Sequence, residues 1–154
     1  AWKNMPVLDV AGNLLAIHLG LATRGQAEMI LDALAEHKNA CGDVLPRTNY
    51  PAYPTWVVSP LLRLAGMGDY HNNGPYWLWI AALELLVQEQ IRGSAKQLRE
   101  AIEQTIKQSG GYYELYERPG VALKRPLYSS EKDFSWACGI LELVTDEKET
   151  AQKS

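Results

Sequence analysis

Residues 77 to 86 read WLWIAALELL, nine apolar side chains interrupted only by Glu84. A helix that is apolar on every face must be enclosed on every side, so the rest of the chain has to wrap around this segment. The pattern predicts one deeply buried helix from Pro75 to about Ile91. Proline suits the first helical position, where its missing N–H is not needed, and Gly93 stops the helix. The run is too short to span a bilayer. A chain of 154 residues can surround such a helix as one domain, residues 1–154, and is too short for two comfortable ones.

Helices that could do the wrapping are legible on both sides. Asp9 to Leu21 carries Leu14, Leu15, Ile17, His18 and Leu21 near helical spacing. Thr23-Arg-Gly-Gln26 reads as a capping box, opening a second helix with Ala27, Ile30, Leu31 and Leu34 on one stripe. The link between the two is short, so they form an antiparallel αα-hairpin. Ser94-Ala-Lys-Gln97 reads as another capping box. It precedes an amphipathic helix that turns Leu98, Ala101, Ile102, Thr105 and Ile106 inward and stops at Gly110-Gly111. Ser59-Pro60 starts a short helix through Leu64, and Ser130 with Asp133 caps a last one from Phe134 to about Val144. The polar tail TDEKETAQKS is expected to fray. Between these helices lie two long irregular stretches, 39–58 with three prolines and 112–132 rich in Tyr and Pro. Buried helices alternate with amphipathic ones, with short turns at one end and long aromatic loops at the other. That alternation predicts an all-α fold, αα-hairpins forming part of an (α/α)6 toroid with the loops gathered over one mouth.

The aromatic usage points to a ligand. There are five Trp and eight Tyr against one Phe, and twelve of those thirteen Trp and Tyr fall between Tyr50 and Trp136. A core built only for packing would use Phe, because buried indole N–H and phenol O–H groups must find partners. Tyr and Trp offer a flat apolar face with a polar edge, which suits a sugar, itself a C–H face with a hydroxyl rim. The same rings could instead wedge the loops onto the helices.

Two motifs concentrate the chemistry. Residues 68 to 79, GDYHNNGPYWLW, set His71 and Asn72 just ahead of a helix N-terminus, with Trp77 and Trp79 close behind. Free N–H groups there favour oxyanions or hydroxyl oxygens; a single His can also be a structural hydrogen-bonder. Residues 110 to 120, GGYYELYERPG, set Glu114 among Tyr112, Tyr113 and Tyr116. A carboxylate held among rings has a raised pKa or a fixed orientation, both useful in acid–base work. Glu117 and Glu131 are rivals, the first read as a turn residue and the second as part of a helix cap.

Other classes are disfavoured. Net charge is −3, with 15 basic and 18 acidic residues and no basic stripe, so no nucleic-acid partner is expected. There is no GxSxG elbow, P-loop, HExxH or dinucleotide fingerprint, and neither cysteine has metal-ligand spacing, so no metal or cofactor is expected. Cys41 and Cys138 read as reduced thiols, or else as one disulfide. With no signal peptide legible in AWKNMPVLD and no membrane span, a cytoplasmic protein is expected.

YHNNGPYWLW at 70–79, YYELYERPG at 112–120 and DFSWACGILEL at 133–143, in that order and spacing, resemble the C-terminal part of the (α/α)6-barrel glycoside hydrolases. The glycogen-debranching, amylo-α-1,6-glucosidase-like group is the nearest in flavour, with neutral invertases and processing α-glucosidases as cousins. The resemblance runs from about Asp9 onward. It implies an inverting hydrolase of an α-glucoside, with Glu114 as the general base that activates water. It also implies sugar contacts at Tyr70, His71 and Asn72, and an aromatic after the last loop at Trp136; Trp77 and Tyr116, from the same motifs, complete the expected substrate-binding set. The chain departs from the family pattern in the extra Asn73 before Gly74, and in Tyr76-Trp77 where Trp-Pro is frequent. A full barrel needs twelve helices and about five long ones are legible here, so the family's general acid is expected upstream of residue 1. Inverting enzymes hold their two carboxyls roughly 6.5–9.5 Å apart, so Glu131 or Asp69 would have to serve if the chain acts alone. Asp9, at the start of a helix and outside any aromatic loop, is not assigned that role. An incomplete ring should expose the faces around Leu14 to Leu21 and Ile140 to Val144, and so self-associate or bind the missing part. The alternative is a non-catalytic carbohydrate-binding or structural helical module.

Overall fold

The computed structural model describes residues 7–152, with the backbone alone for Thr55 and for residues 145–152. A two-residue strand β1 (Leu8–Asp9) leads into α1 (Val10–His18), with Asp9 as N-cap. Helix α2 (Arg24–Cys41) opens on the expected capping box between Thr23 and Gln26 and closes on Gly42 at φ 70°. The loop beyond it contains β2 (Asn49–Tyr50), a 3-10 turn (Thr55–Val57) and α3 (Pro60–Leu64). Then come β3 (Tyr76–Trp77), α4 (Leu78–Arg92) and α5 (Lys96–Ser109). Four short strands, β4 (Leu115–Arg118), β5 (Val121–Ala122), β6 (Lys124–Arg125) and β7 (Tyr128–Ser129), precede α6 (Ser135–Gln152). The helix thus runs on through most of the tail expected to fray; residues 153–154 lie outside the described residues.

Helix α4 is the centre of the molecule, packed against α6, α1, α5 and α2. Leu78, Ile80, Ala81, Ala82, Leu83, Leu85, Leu86 and Val87 are all buried, on every face of the helix. Leu14 and Ile17 of α1, Leu31 and Leu34 of α2, Leu98 and Ile102 of α5, and Ala137 and Val144 of α6 close around it. Glu84, the one charge in the run, is 1% exposed. It survives there because Lys38 of α2 places its Nζ 2.9 Å from both carboxylate oxygens and Gln88 donates to it at 2.8 Å. A buried carboxylate without such partners would carry an uncompensated desolvation cost.

The all-α toroid is not what the chain forms. The fold is mixed, 53% helix and 13% strand, with three small antiparallel sheets. β1 pairs with β2, β3 with β4 and β4 with β5, and β6 with β7. The physical reason lies in the two long loops. They are folded against the core, and their buried N–H and C=O groups must be paired; two-residue ladders do this where no helix can. The helix expected from Pro75 is shortened for the same reason. Tyr76 and Trp77 pair with Tyr116 and Leu115, and the helix begins only at Leu78. The second expected capping box is absent as well: α5 has Ala95 at its N-cap and no side-chain cap.

The apolar edges are only partly open. Leu14, Ile17 and Val144 are buried, whereas Leu15, Leu19, Leu21 and Leu143 are exposed. Leu15, Leu83, Leu86, Trp136, Ile140 and Leu143 border a groove between α1 and α6. Among the described residues no helix is long and apolar enough to cross a membrane.

Candidate active site

The polar run before α4 divides its labour residue by residue. Asn72 aligns its amide with the backbone of Tyr53, accepting from the Tyr53 N–H at 2.6 Å and donating to its carbonyl at 2.8 Å. Asn73 does the same for Asn49, accepting from its N–H at 3.0 Å and donating to its carbonyl. Arg47 Nη1 donates to the Asn73 and Gly74 carbonyls at 2.9 and 2.7 Å, while its Nε and Nη2 hold Asp43. Burial opposes ionisation of Asp43, but hydrogen bonds from Arg47, Tyr76 and Tyr50 outweigh it and hold the carboxyl below its ordinary range. Asp69 folds against Gly74 so closely that a Cβ there would collide with its carboxylate. On its other side it takes Arg125 of β6 at 2.6 and 2.9 Å. Four side chains thus tie this loop to β2, to the segment at Tyr53 and to the β6–β7 hairpin.

The rest of the run is a cluster of rings. His71 stacks on Trp77, ring centroids 5.0 Å apart and planes 17° from parallel. Trp77 Nε1 donates to the Tyr70 carbonyl at 3.1 Å, and the Tyr70 ring stands edge-on to His71, Trp77 and Tyr128. Burial lowers the His71 pKa and the nearby Glu114 charge works against that, with burial prevailing. The ring is therefore neutral near pH 7, with one donor and one acceptor nitrogen.

Glu114 is fixed at backbone and side chain alike. Its N–H donates to the Glu131 carbonyl at 2.9 Å, and its carbonyl accepts from Leu78 N at 3.2 Å, the first residue of α4. The Tyr128 hydroxyl donates to Oε2 and the Tyr70 hydroxyl lies 3.5 Å from Oε1. Burial raises the pKa of both phenols, and for each the Glu114 carboxylate adds to the rise. Both therefore stay protonated and able to donate. The Tyr70 hydroxyl also lies 3.3 Å from the Tyr128 hydroxyl, so its single proton backs Tyr128 and Tyr128 is the close donor to the carboxylate, which keeps lone pairs for a water or hydroxyl.

Part of this cluster borders a cavity of about 490 Å³, within the range of small-molecule sites; Tyr70, an expected sugar contact, and Tyr128 do not line it. Glu114, His71, Trp77 and Trp136 line it, with Trp79 and Phe134 adding aromatic surface. Asp9, Thr48, Asn49 and Tyr53 also line it. Trp136 is 64% exposed, edge-on to Trp79 at 6.1 Å, and stands at the rim.

The other expected site residues lie elsewhere. Tyr116 is 0% exposed; its hydroxyl donates to the Gly111 carbonyl at 2.9 Å and accepts from Tyr113 N at 3.1 Å. It fastens the Glu114 loop and does not reach the cavity. Asn72 is likewise occupied by Tyr53. Of the rival carboxylates, Glu117 lies on the exposed end of β4, 3.6 Å from Arg125; Glu131 is exposed and contributes its carbonyl; Asp69 is held by Arg125. None borders the cavity. Tyr128 and the Asp9–Asn49 wall were not anticipated. A second tyrosine 14 residues beyond Glu114 carries no spacing signal, and β1–β2 pairing joins segments 40 residues apart in sequence.

Cys41 and Cys138 are both free. Among the described residues no group of three or more His, Cys, Asp or Glu side chains could hold a metal ion. No protein-family model matches this chain, and neither the curated proteins nor the solved structures give a match.

Proposed function

We propose that the chain carries the general-base side of an inverting glycoside hydrolase site for an α-glucoside, with Glu114 as the base. The observation that supports this best is Glu114 itself. Its carboxylate accepts from the Tyr128 hydroxyl, itself backed by Tyr70, on the wall of a cleft that Trp77, Trp79, Phe134, Trp136 and His71 also line. Indole faces receive the C–H face of a sugar, while Glu114 and the neutral His71 supply acceptors and a donor for its hydroxyls. A base needs a water within hydrogen-bond reach, and the carboxylate opens onto the cavity where such a water would sit. The general acid is supplied from outside these residues, since none of Glu117, Glu131 and Asp69 borders the cavity. By itself the chain binds an α-glucoside without hydrolysing it. Two free thiols fit a cytoplasmic setting.

A second reading, a carbohydrate-binding module with no catalytic role, is favoured by that same lack of an acid among the three rivals. One variant separates the two. Glu114→Gln in the protein that hydrolyses an α-glucoside should cut turnover by about 10²- to 10⁴-fold, with sugar affinity and melting temperature nearly unchanged. Normal turnover in that variant would remove Glu114 from the chemistry. Sugar binding with no turnover in any protein carrying this chain would establish the binding module.

A further inference from the structure

Among the described residues Asp9 is the one other carboxylate on the cavity wall, and neither the proposed hydrolysis nor the aromatic motifs give it a task. It stands where β1 meets β2, with Asp9 paired to Asn49 and Val10 N donating to the Thr48 carbonyl at 3.1 Å. Asn49 and Thr48 are in turn fixed by Asn73, so this wall is rigidly joined to the loop that carries His71. The carboxylate lies back over Gly12: Oδ1 accepts from Gly12 N at 3.3 Å, and a Cβ on Gly12 would come within 2.7 Å of Oδ2. That capping bond is long, and it occupies Oδ1 alone.

We propose that Asp9 is a substrate-contacting residue, a hydrogen-bond acceptor for the hydroxyl groups of a neutral α-glucoside bound against Glu114 and His71. This rests on the carbohydrate reading of the cleft. The chemistry follows from what the wall presents. A carboxylate already serving as acceptor for a backbone N–H offers its remaining lone pairs to further donors, and sugar hydroxyls are such donors. The indole and phenyl rings that line the cavity cannot accept them, so a sugar lying flat on the rings finds acceptors for its hydroxyl rim on Asp9, Thr48 and Asn49, beside those on Glu114 and His71. An anionic sugar would meet both Asp9 and Glu114 and is disfavoured by like charge.

The test keeps the helix cap while removing the reach of the carboxylate. Ser is as good an N-cap as Asp, so Asp9→Ser should melt within a degree or two of the parent chain. Maltose and isomaltose titrations, read by tryptophan fluorescence, should show about 10- to 100-fold weaker binding, the scale of one lost charge-assisted hydrogen bond. Gly12→Ala leaves Asp9 in place but pushes its carboxylate aside, and should give a smaller loss of affinity without lowering stability. Monodeoxy derivatives of the better disaccharide identify the partner hydroxyl: one derivative should bind about tenfold more weakly to the parent chain and no more weakly to Asp9→Ser. Unchanged affinity in a normally folded Asp9→Ser overturns the assignment and leaves the cleft reading standing. If the parent chain binds neither disaccharide, the cleft reading fails and Asp9 goes with it.

Discussion

Asn73 offers the sharpest test of how the site is held together. It is one of two described non-glycine residues with positive φ, at 66°, and its amide completes the open edge of β2. The N–H of Asn49 donates to it at 3.0 Å and the Asn49 carbonyl accepts from it. Asn49 is 2% exposed, so water reaches these groups poorly. Asn73→Gly keeps the backbone conformation and deletes the side chain. Two buried backbone groups then lose their partner, at about 1–3 kcal/mol each; with partial access from the cavity, a total of about 2–4 kcal/mol is expected. Asn73→Ala loses the same bonds and also forces a Cβ into left-handed geometry, adding about 1 kcal/mol. For a domain of this size 1 kcal/mol corresponds to about 2–4 °C, so the Gly variant should melt roughly 5–10 °C below the parent and the Ala variant a few degrees lower still. In ordinary exposed sites Ala is the more stable of the two, so the inverted order is diagnostic. Calorimetry with parallel urea denaturation measures both. An Ala variant as stable as the Gly variant, or a Gly variant that loses less than about 0.5 kcal/mol, refutes the account of this loop.

Two further outcomes follow from the same geometry. Burial holds the His71 pKa below its ordinary 6.5; the folded state then binds its proton less readily than the unfolded chain, so the stability contributed by neutral His71 is present above pH 6.5 and is lost as pH falls through the lowered folded value. Fluorescence of the Trp77 stacked on it should titrate with a midpoint below 6.5, and His71→Asn should remove that titration; a midpoint at or above 6.5 contradicts the burial argument. The groove bordered by Leu15, Trp136, Ile140 and Leu143 is expected to drive concentration-dependent self-association, seen by sedimentation and weakened severalfold or more by Leu143→Glu; a parent chain that stays monomeric at high micromolar concentration refutes it.

The helices were legible because their signals are local. Apolar residues on all faces of α4, the Thr23–Gln26 box and the stripe of α2 each report on contacts within a few residues, and each appears at its expected place. The strands were not legible because two residues carry no period. Pairing of Tyr76 with Tyr116, or of Leu8 with Tyr50, is decided by loops seeking partners for buried backbone groups across 40 residues. Glu114, His71, Trp77 and Trp136 could be picked out because rings and a carboxylate crowded into loops are unusual in a packing core. Tyr116 belongs to the same crowd but closes a turn onto Gly111 and Tyr113; a ring that closes a turn and a ring that faces a cavity look alike in one dimension.

Asp9 shows the opposite failure, and a more general one. An aspartate just ahead of a helix is fully explained as a cap, so nothing in the sequence asks for a second role. Capping and sugar recognition nonetheless draw on the same property, a carboxylate accepting hydrogen bonds, and a helix that starts at the edge of a cleft puts its cap on the wall. Asn72 reads as a ligand-seeking amide and spends its bonds on the backbone at Tyr53, as Asn73 does at Asn49. Residue type and spacing specify what a side chain can bond to; which partner it meets is set by the loops. Here Asn72 and Asn73 hold the loops while Glu114 and Asp9 border the cavity, and the Asp9→Ser and Asn73→Gly variants separate the two roles: the first should alter binding and leave melting alone, and the second should alter melting.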